Sequence, residues 1–273
     1  MSPDALTLLI DAGNTRVKFG WVCQASGRRH PGALALGHDE LDGLAAWLAA
    51  LPRAPEAVLG VNVAGDAVAA RIALALRPLG GIPLRWLRSS ASVAGIENGY
   101  EDPAHLGTDR WISLAGLAGH TPATALLATF GTATTIDTLG PRAGPGGARR
   151  FEGGVILPGP ELMRRSLASG TAGLPYAQGD SVALPRNTHA AIQSGIAAAQ
   201  AGAVIRQWRG TLDALGEAPL LYCAGGGWPL VAGEVTAALA RGQSDLGLPN
   251  LAPQWLDAPV LDGLAGLAAA ETP

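Results

Sequence analysis

Residues 8–18, LLIDAGNTRVK, gather a carboxylate, a Gly-Asn pair, a hydroxyl and a lysine into one short stretch. Leu8, Leu9 and Ile10 form an apolar run that reads as a buried strand. Asp11 ends the run, and Gly13-Asn14 supplies a turn where a positive φ is cheap. Val17, Phe19 and Trp21 then alternate as a second strand. Small side chains and exposed backbone N–H groups at such a tip let a polyphosphate approach closely. Asp11 suits Mg²⁺, which takes one or two carboxylates together with phosphate oxygens and water. Taken alone, the same residues also describe an ordinary hairpin with a surface Asp.

Residues 125–139, ALLATFGTATTIDTL, repeat the layout. An apolar strand leads into a turn with Gly131, Thr132, Thr134 and Thr135, and Asp137 follows on the outgoing strand. Two such hairpins half a chain apart predict a duplicated domain with a nucleotide between the halves. Gly225-Gly226-Gly227 follows another apolar strand and lets a planar ring approach the backbone. It is a structural turn or, beside two phosphate hairpins, an adenine-side contact at Gly225 and Gly226. Asp109-Arg110 opens a predicted helix, where the dipole and free N–H groups favour anions. There Asp109 could take a proton from a substrate hydroxyl, and Arg110 could fix oxygens with its planar fork. A capping Asp beside a surface Arg is the competing account.

The elements that must position these residues alternate strand and helix. The first half reads β-β-β-α-β-α-β: two hairpin strands, a third at 33–36, a helix at 40–51 capped by Asp39, a strand at 57–63, a helix at 66–79 closed by Gly80-Gly81, and a strand at 84–87. Residues 89–105, with Tyr100, look mostly irregular, and 106–119 helical. The second half repeats the plan with strands at 125–129 and 134–139 and a third within 149–157. Helices are expected at 160–169, 188–215 and 230–241, a strand at 219–224, and an amphipathic segment at 260–270. The Gly/Pro-rich loops 140–147 and 169–187 interrupt them.

The chain has 273 residues, enough for one large domain or two small ones. It is 48% hydrophobic and only 15% charged, with a net charge of -3, which leaves no footprint for nucleic acid or anionic lipid. No apolar run approaches the ~18 residues of a membrane span. Residues 1–5 lack the basic start of a leader, so the reading is cytoplasmic. Cys23 and Cys223 fit a reduced compartment as small core residues. His105, His120 and His189 have no zinc-ligand spacing.

The ordered set IDAGNT, GTDR, GTATTID, GGVILPG and a closing strand-Gly-Gly, spread over nearly the whole chain, resembles type III pantothenate kinase, including the Bvg accessory factor branch. The resemblance implies an α/β fold of two ribonuclease-H-like halves, that of the acetate and sugar kinases, heat-shock ATPases and actin, divided here at 1–105 and 106–273. It implies transfer of the ATP γ-phosphoryl to the 4′-hydroxyl of pantothenate, the first step towards coenzyme A. Carried over by motif, Asp11, Ala12, Gly13, Asn14, Thr15, Arg16, Val17, Lys18 and Thr132 contact ATP and its Mg²⁺. Tyr100, Gly107, Thr108, Asp109 and Arg110 hold pantothenate, with Asp109 as proton acceptor, and Thr188 contacts the substrate. Family members are usually homodimers with the pantothenate site near the interface.

The family often has an aspartate at position 129, where it binds a monovalent cation. Thr129 stands there in this chain, so K⁺ or NH₄⁺ is expected to bind only weakly. Two rival readings keep the same fold: a kinase acting on another small hydroxyl or carboxylate acceptor, and a regulatory accessory protein without turnover. Intact Asp11, Asp109 and Arg110 argue against the second.

Overall fold

A computed structural model describes residues 5–144 and 146–270. The expectation about a leader concerns residues 1–4, which lie outside the described set, and Pro145 of the 140–147 loop does too. The chain forms two compact units.

The first unit is built on β1 (Leu6–Ala12) and β2 (Arg16–Cys23), an antiparallel hairpin whose register runs from Leu6–Cys23 to Ala12–Val17. β3 (Leu34–Gly37) pairs with β2. A 3-10 turn, His38–Gly43, leads into the short α1 (Leu44–Ala49). β4 (Ala57–Asn62) lies parallel to β1, α2 (Asp66–Ala75) follows, and β5 (Leu84–Trp86) lies parallel to β4. The sheet order is β3-β2-β1-β4-β5. β1 reads as a continuous apolar run because a central strand flanked by neighbours is covered on both faces. Leu8, Ile10, Phe19, Val58 and Ile72 fill the core on one side. A small hairpin, β6 (Ser92–Val93) with β7 (Ile96–Asn98), precedes α3 (Thr108–Ala118).

The second unit opens with the antiparallel pair β8 (Ala125–Phe130) and β9 (Ala133–Leu139). β10 (Arg149–Pro158) follows, then α4 (Pro160–Gly170), α5 (Thr188–Leu215), β11 (Leu220–Ala224), α6 (Trp228–Asp245) and β12 (Gln254–Trp255). β11 runs parallel to β8 and β12 parallel to β11, giving the order β12-β11-β8-β9-β10-β7-β6. Val204 and Trp208 of α5 and Val231 and Val235 of α6 pack on Leu126, Ala128 and Ile136. The last element among the described residues is α7 (Pro259–Ala270).

Three expectations need correction. The compact units are Met1–Pro122 with Gly147–Phe151 and Ala258–Pro273, against Ala123–Gly146 with Glu152–Asp257, rather than 1–105 and 106–273. The reason lies at α3 and α7, which cross backbone to backbone. A Cβ on Gly116 would stand 2.1 Å from the Pro259 carbonyl, and one on Gly263 2.0 Å from that of Ile112. Arg29 Nε bonds Asp262 Oδ1 at 2.8 Å, tying α7 to the first sheet as well. Second, Asp39 does not cap a helix at 40–51. It pairs with Arg71 at 3.2 Å, while Glu40 Oε2 accepts the Gly37 N–H at 2.8 Å and the chain begins as 3-10. Third, α2 stops at Ala75; a 3-10 turn, Arg77–Leu79, carries the chain to Gly80, whose φ of 77° is the left-handed stop expected there.

Candidate active site

In the first unit Asp11 and Lys18 face each other as the penultimate pair of the β1–β2 hairpin. The Gly13 N–H closes the turn on the Arg16 carbonyl at 3.0 Å. Neither Gly13 nor Asn14 adopts a positive φ, so the expected backbone reason for this glycine is wrong. Its lack of a side chain matters for closeness, since a Cβ would lie 3.3 Å from the Arg16 carbonyl. Ala12 and Val17 are buried in the sheet, and Asn14, Thr15 and Arg16 are exposed at the tip. Burial pushes the Asp11 carboxyl up from 3.8 to about 6, the Lys18 ammonium pulls it down, and the Asp109 carboxylate pushes it further up. Asp11 and Asp109, nearly a hundred residues apart, therefore share one electrostatic neighbourhood.

Asp109 owes its position to the start of α3. Gly107 is the N-cap, and Asp109 Oδ1 turns back to accept the Arg110 N–H at 2.9 Å. A Cβ on Gly107 would sit 2.8 Å from that oxygen, so only glycine leaves the carboxylate where it is. Thr108 is the first residue of the helix. Arg110 is 6% exposed, which rules out the surface-arginine account. Its Nη1 donates to Tyr100 Oη at 2.7 Å, and the guanidinium lies 5.7 Å from the Tyr100 ring and 5.8 Å from that of Phe151. A cavity of about 400 Å³ opens beside Tyr100, lined by Gly99, Glu101, Asp102 and His105. The first unit thus brings together Asp11 and Lys18, and gathers Tyr100, Gly107, Asp109 and Arg110 around α3.

In the second unit the β8–β9 turn has no charge. Thr129 pairs with Thr135 and Phe130 with Thr134, and the Gly131 N–H bonds the Ala133 carbonyl at 3.0 Å. Two glycine turns press on it. A Cβ on Gly159 would stand 2.0 Å from the Gly131 carbonyl, and one on Gly225, at φ 93°, 2.4 Å from that of Phe130. The Gly227 N–H also bonds the Phe130 carbonyl, at 2.8 Å. Gly225 is therefore spent on packing the turn, whereas Gly226 is exposed, with nothing within 4 Å of its missing side chain. Thr132 is exposed at the tip. Thr188 opens α5 behind the N-cap Asn187, whose Oδ1 accepts the Ala190 N–H at 2.9 Å. It stands on the wall of a separate apolar cavity of about 790 Å³ bounded by Met163, Leu167, Leu174 and Ile192.

Two residues near these groups escape a reading by motif. His38 Nε2 lies 2.9 Å from the Gly13 carbonyl, against the phosphate-type turn. Phe151 lies under Tyr100 and Arg110. His38 opens the 3-10 turn, and no pattern in its neighbours points to it. Phe151, the one aromatic residue of β10, stood next to the Gly153-Gly154 pair and could have been singled out.

Residues 7–210 match the family pattern of type III pantothenate kinase. The chain belongs to that family. It is 48% identical over 275 residues to the type III pantothenate kinase of Bordetella bronchiseptica, covering 98% of this chain and 99% of the relative. Its identity to the Bordetella petrii enzyme of the same name is 49% over 271 residues, again 98% and 99%. Among solved structures, a Listeria monocytogenes protein provisionally assigned as an N-acetylmannosamine kinase is similar over 98% of this chain and all of that one, with a TM-score of 0.53 and 13% identity. That likeness concerns the fold alone, the duplicated ribonuclease-H-like fold of the sugar kinases. The motifs at Asp11, Asp109 and Gly131 all lie within the matched residues.

Proposed function

We propose how this family member divides the work of its reaction, the ATP-dependent phosphorylation of pantothenate on the way to coenzyme A. Asp109 is the catalytic base. Its Oδ1 is held by the Arg110 N–H, which leaves Oδ2 to take the proton of the 4′-hydroxyl. The freed oxygen attacks the γ-phosphorus as the bond to the β,γ-bridging oxygen breaks, and ADP leaves. Arg110, Tyr100, Gly107 and Thr108 hold pantothenate, and Thr188 contacts it as well. Asn14, Thr15, Arg16 and Lys18, on a turn kept slim by Ala12, Gly13 and Val17, receive the phosphates of ATP. Thr132 and Gly226 offer the nucleotide a hydroxyl and an open backbone.

The observation that carries this reading is the Asp11–Lys18 pair across the β1–β2 hairpin, with the Asp109 carboxylate adding to the upward push on the Asp11 proton. Two carboxylates in one partly buried place are poor company unless a cation and a proton acceptor are both needed there. No group of three or more His, Cys, Asp or Glu side chains gathers among the described residues. One or two carboxylates completed by phosphate oxygens and water is how Mg²⁺ is commonly held, so Asp11 fits as its anchor. The metal's contribution when bound is to neutralise charge on the transferring phosphoryl group.

Three finer points belong to the same reading. Thr129 leaves a weak site for K⁺ or NH₄⁺. A homodimer forms near Thr188, where Tyr176, Val182 and Leu184 are exposed large apolar side chains and Leu184 is 81% exposed. The protein works in the cytoplasm; no helix among the described residues is long and apolar enough to cross a membrane.

A coupled assay with purified protein, ATP and pantothenate tests the reaction, and light scattering at micromolar concentration tests the dimer. Mg²⁺-dependent ADP release requiring pantothenate, from a particle of twice the chain mass, is expected. Absence of pantothenate-dependent turnover would overturn the division of labour, and an active monomer would overturn the dimer.

A further inference from the structure

Phe151 lies between the GTATTID and GGVILPG stretches and belongs to none of the family motifs. Its ring is fully buried and stacks on Tyr100 at 5.5 Å between centroids and 27° between planes. The Arg110 guanidinium lies 5.8 Å from the Phe151 ring and 5.7 Å from the Tyr100 ring, while Arg110 Nη1 donates to Tyr100 Oη. A single guanidinium is thus held by two ring faces and one phenol.

The backbone shows that the arrangement is built. Phe151 pairs in register with Asn98 of β7. Asn98 Oδ1 accepts the Tyr100 N–H at 3.1 Å, and its Nδ2 donates to the Ser90 and Pro103 carbonyls at 3.1 and 3.3 Å, which clamps the loop carrying Tyr100. Gly99 lets that loop lie directly on the strand, since a Cβ there would be 2.0 Å from the Phe151 carbonyl. Loop, strand and helix N-terminus therefore converge on the Arg110 head group.

We propose that Phe151 is a positioning residue for the acceptor substrate, acting through Arg110. Its ring face fixes the plane of the guanidinium, so that the fork meets the oxygens of pantothenate without first losing rotamer freedom. This rests on the reading that Arg110 holds pantothenate. An aliphatic side chain at position 151 keeps the site dry but offers a cation no negative π-face. The arginine then samples more orientations, and acceptor affinity falls while ATP binding does not.

The test is a cycle of Phe151→Leu, Arg110→Gln and the double variant, read by steady-state kinetics and by calorimetric binding of pantothenate. Phe151→Leu should raise the KM for pantothenate about tenfold, the ratio equivalent to ~1.4 kcal/mol, and move the KM for ATP and kcat less than about twofold. Phe151→Tyr, which keeps the ring, should restore most of the loss. In the Arg110→Gln background, Phe151→Leu should add nothing further to the KM for pantothenate. Equal rises in both backgrounds, or equal rises in both KM values, would overturn the proposal and leave Phe151 a packing residue. If Phe151→Leu fails to fold, Phe151→Met carries the same test, since it too is apolar and without a ring. An unchanged pantothenate KM in Arg110→Gln itself would instead sink the underlying assignment of Arg110. A rise there with none in Phe151→Leu would sink only this inference.

Discussion

In the β1–β2 hairpin the last two pairs before the turn are Asp11–Lys18 and Ala12–Val17; in β8–β9 they are Thr129–Thr135 and Phe130–Thr134. Both turns begin on a glycine whose N–H bonds back at 3.0 Å. Both hairpins lie in sheets that share a five-strand plan, β3-β2-β1-β4-β5 and β10-β9-β8-β11-β12, the second continuing past β10 to β7 and β6, so the repeat is a repeat of topology as well as of motif. What differs is the load each tip carries. The first places charge at the tip and has a carboxylate of α3 within electrostatic reach. The second is neutral and is braced from outside by Gly159 and Gly225. The repeat gives a slim glycine turn twice, but only the first is furnished with charged side chains at its tip.

The comparison breaks most visibly at the acidic side. Asp109→Asn removes the proton acceptor while keeping the Oδ1 bond to the Arg110 N–H. Turnover should fall roughly 10²–10⁴-fold with ATP binding intact. Near wild-type turnover would mean that Asp109 merely caps α3, and that both hairpins serve binding alone.

Asp11→Asn probes the same pair from the metal side. Loss of outer-shell support alone commonly costs 10–100-fold in metal affinity, so the Mg²⁺ needed for half-maximal activity should rise at least roughly tenfold. Stability should move the other way. In the folded chain the Asp11 carboxyl titrates at about 6 rather than 3.8, so between those values the folded state holds a proton that the unfolded chain has lost. Metal-free wild type therefore loses stability as pH rises from about 4 through 6, and the loss stays constant above that. The Asn variant lacks this penalty. In thermal melts with EDTA it should match wild type near pH 4 and exceed it near pH 7.5. A gap that does not widen with pH would show that Asp11 is not strained by its surroundings.

Much of this was legible in the sequence, for identifiable reasons. Strands 57–63 and 125–129 and the helix at 188–215 were readable because apolar runs and helix-forming residues act locally. β12 was not: Gln254 and Trp255 are two exposed residues with no alternation to read, yet they form the edge strand of the second sheet. The unit boundary failed because the backbone crossing of Gly116 and Gly263 joins parts of the chain nearly 150 residues apart, and small residues in a helix give no hint of their partner. At the site, Asp11, Asp109 and Arg110 announced themselves by type. Their pairing did not, and neither did the contacts of His38 and Phe151, which depend on tertiary packing.

The brace of the second hairpin can be separated from its ligand-facing surface by two neighbouring glycines. Gly225→Ala demands a side chain at φ 93° with its Cβ 2.4 Å from the Phe130 carbonyl. Strain of this kind costs about 1–3 kcal/mol before any overlap is relieved, so the melting temperature should drop by several degrees. Gly226→Ala meets nothing within 4 Å and should leave the melting temperature unchanged while raising the KM for ATP a few-fold. If the two variants behave alike, Gly226 is part of the brace and the adenine-side role is wrong.

A further expected effect concerns Thr129, the residue opposite Thr135 in the second hairpin. An aspartate there would give the second tip a charge and narrow its contrast with the first. Thr129 contributes a hydroxyl and a backbone carbonyl, both neutral, so a hard monovalent cation loses its strongest ligand. The turn that surrounds it is nonetheless intact, with Gly131 bonded to Ala133 and Thr132 exposed. Activity should rise with K⁺ or NH₄⁺ and saturate only at high concentration. Thr129→Asp should shift that saturation to lower concentration, by about tenfold if the added charge contributes ~1.4 kcal/mol. Titrating both salts against a bulky cation at constant ionic strength separates this from screening of the ATP charge. A flat response in both wild type and variant would mean that the second hairpin never needed a counter-ion, and that its neutrality is complete.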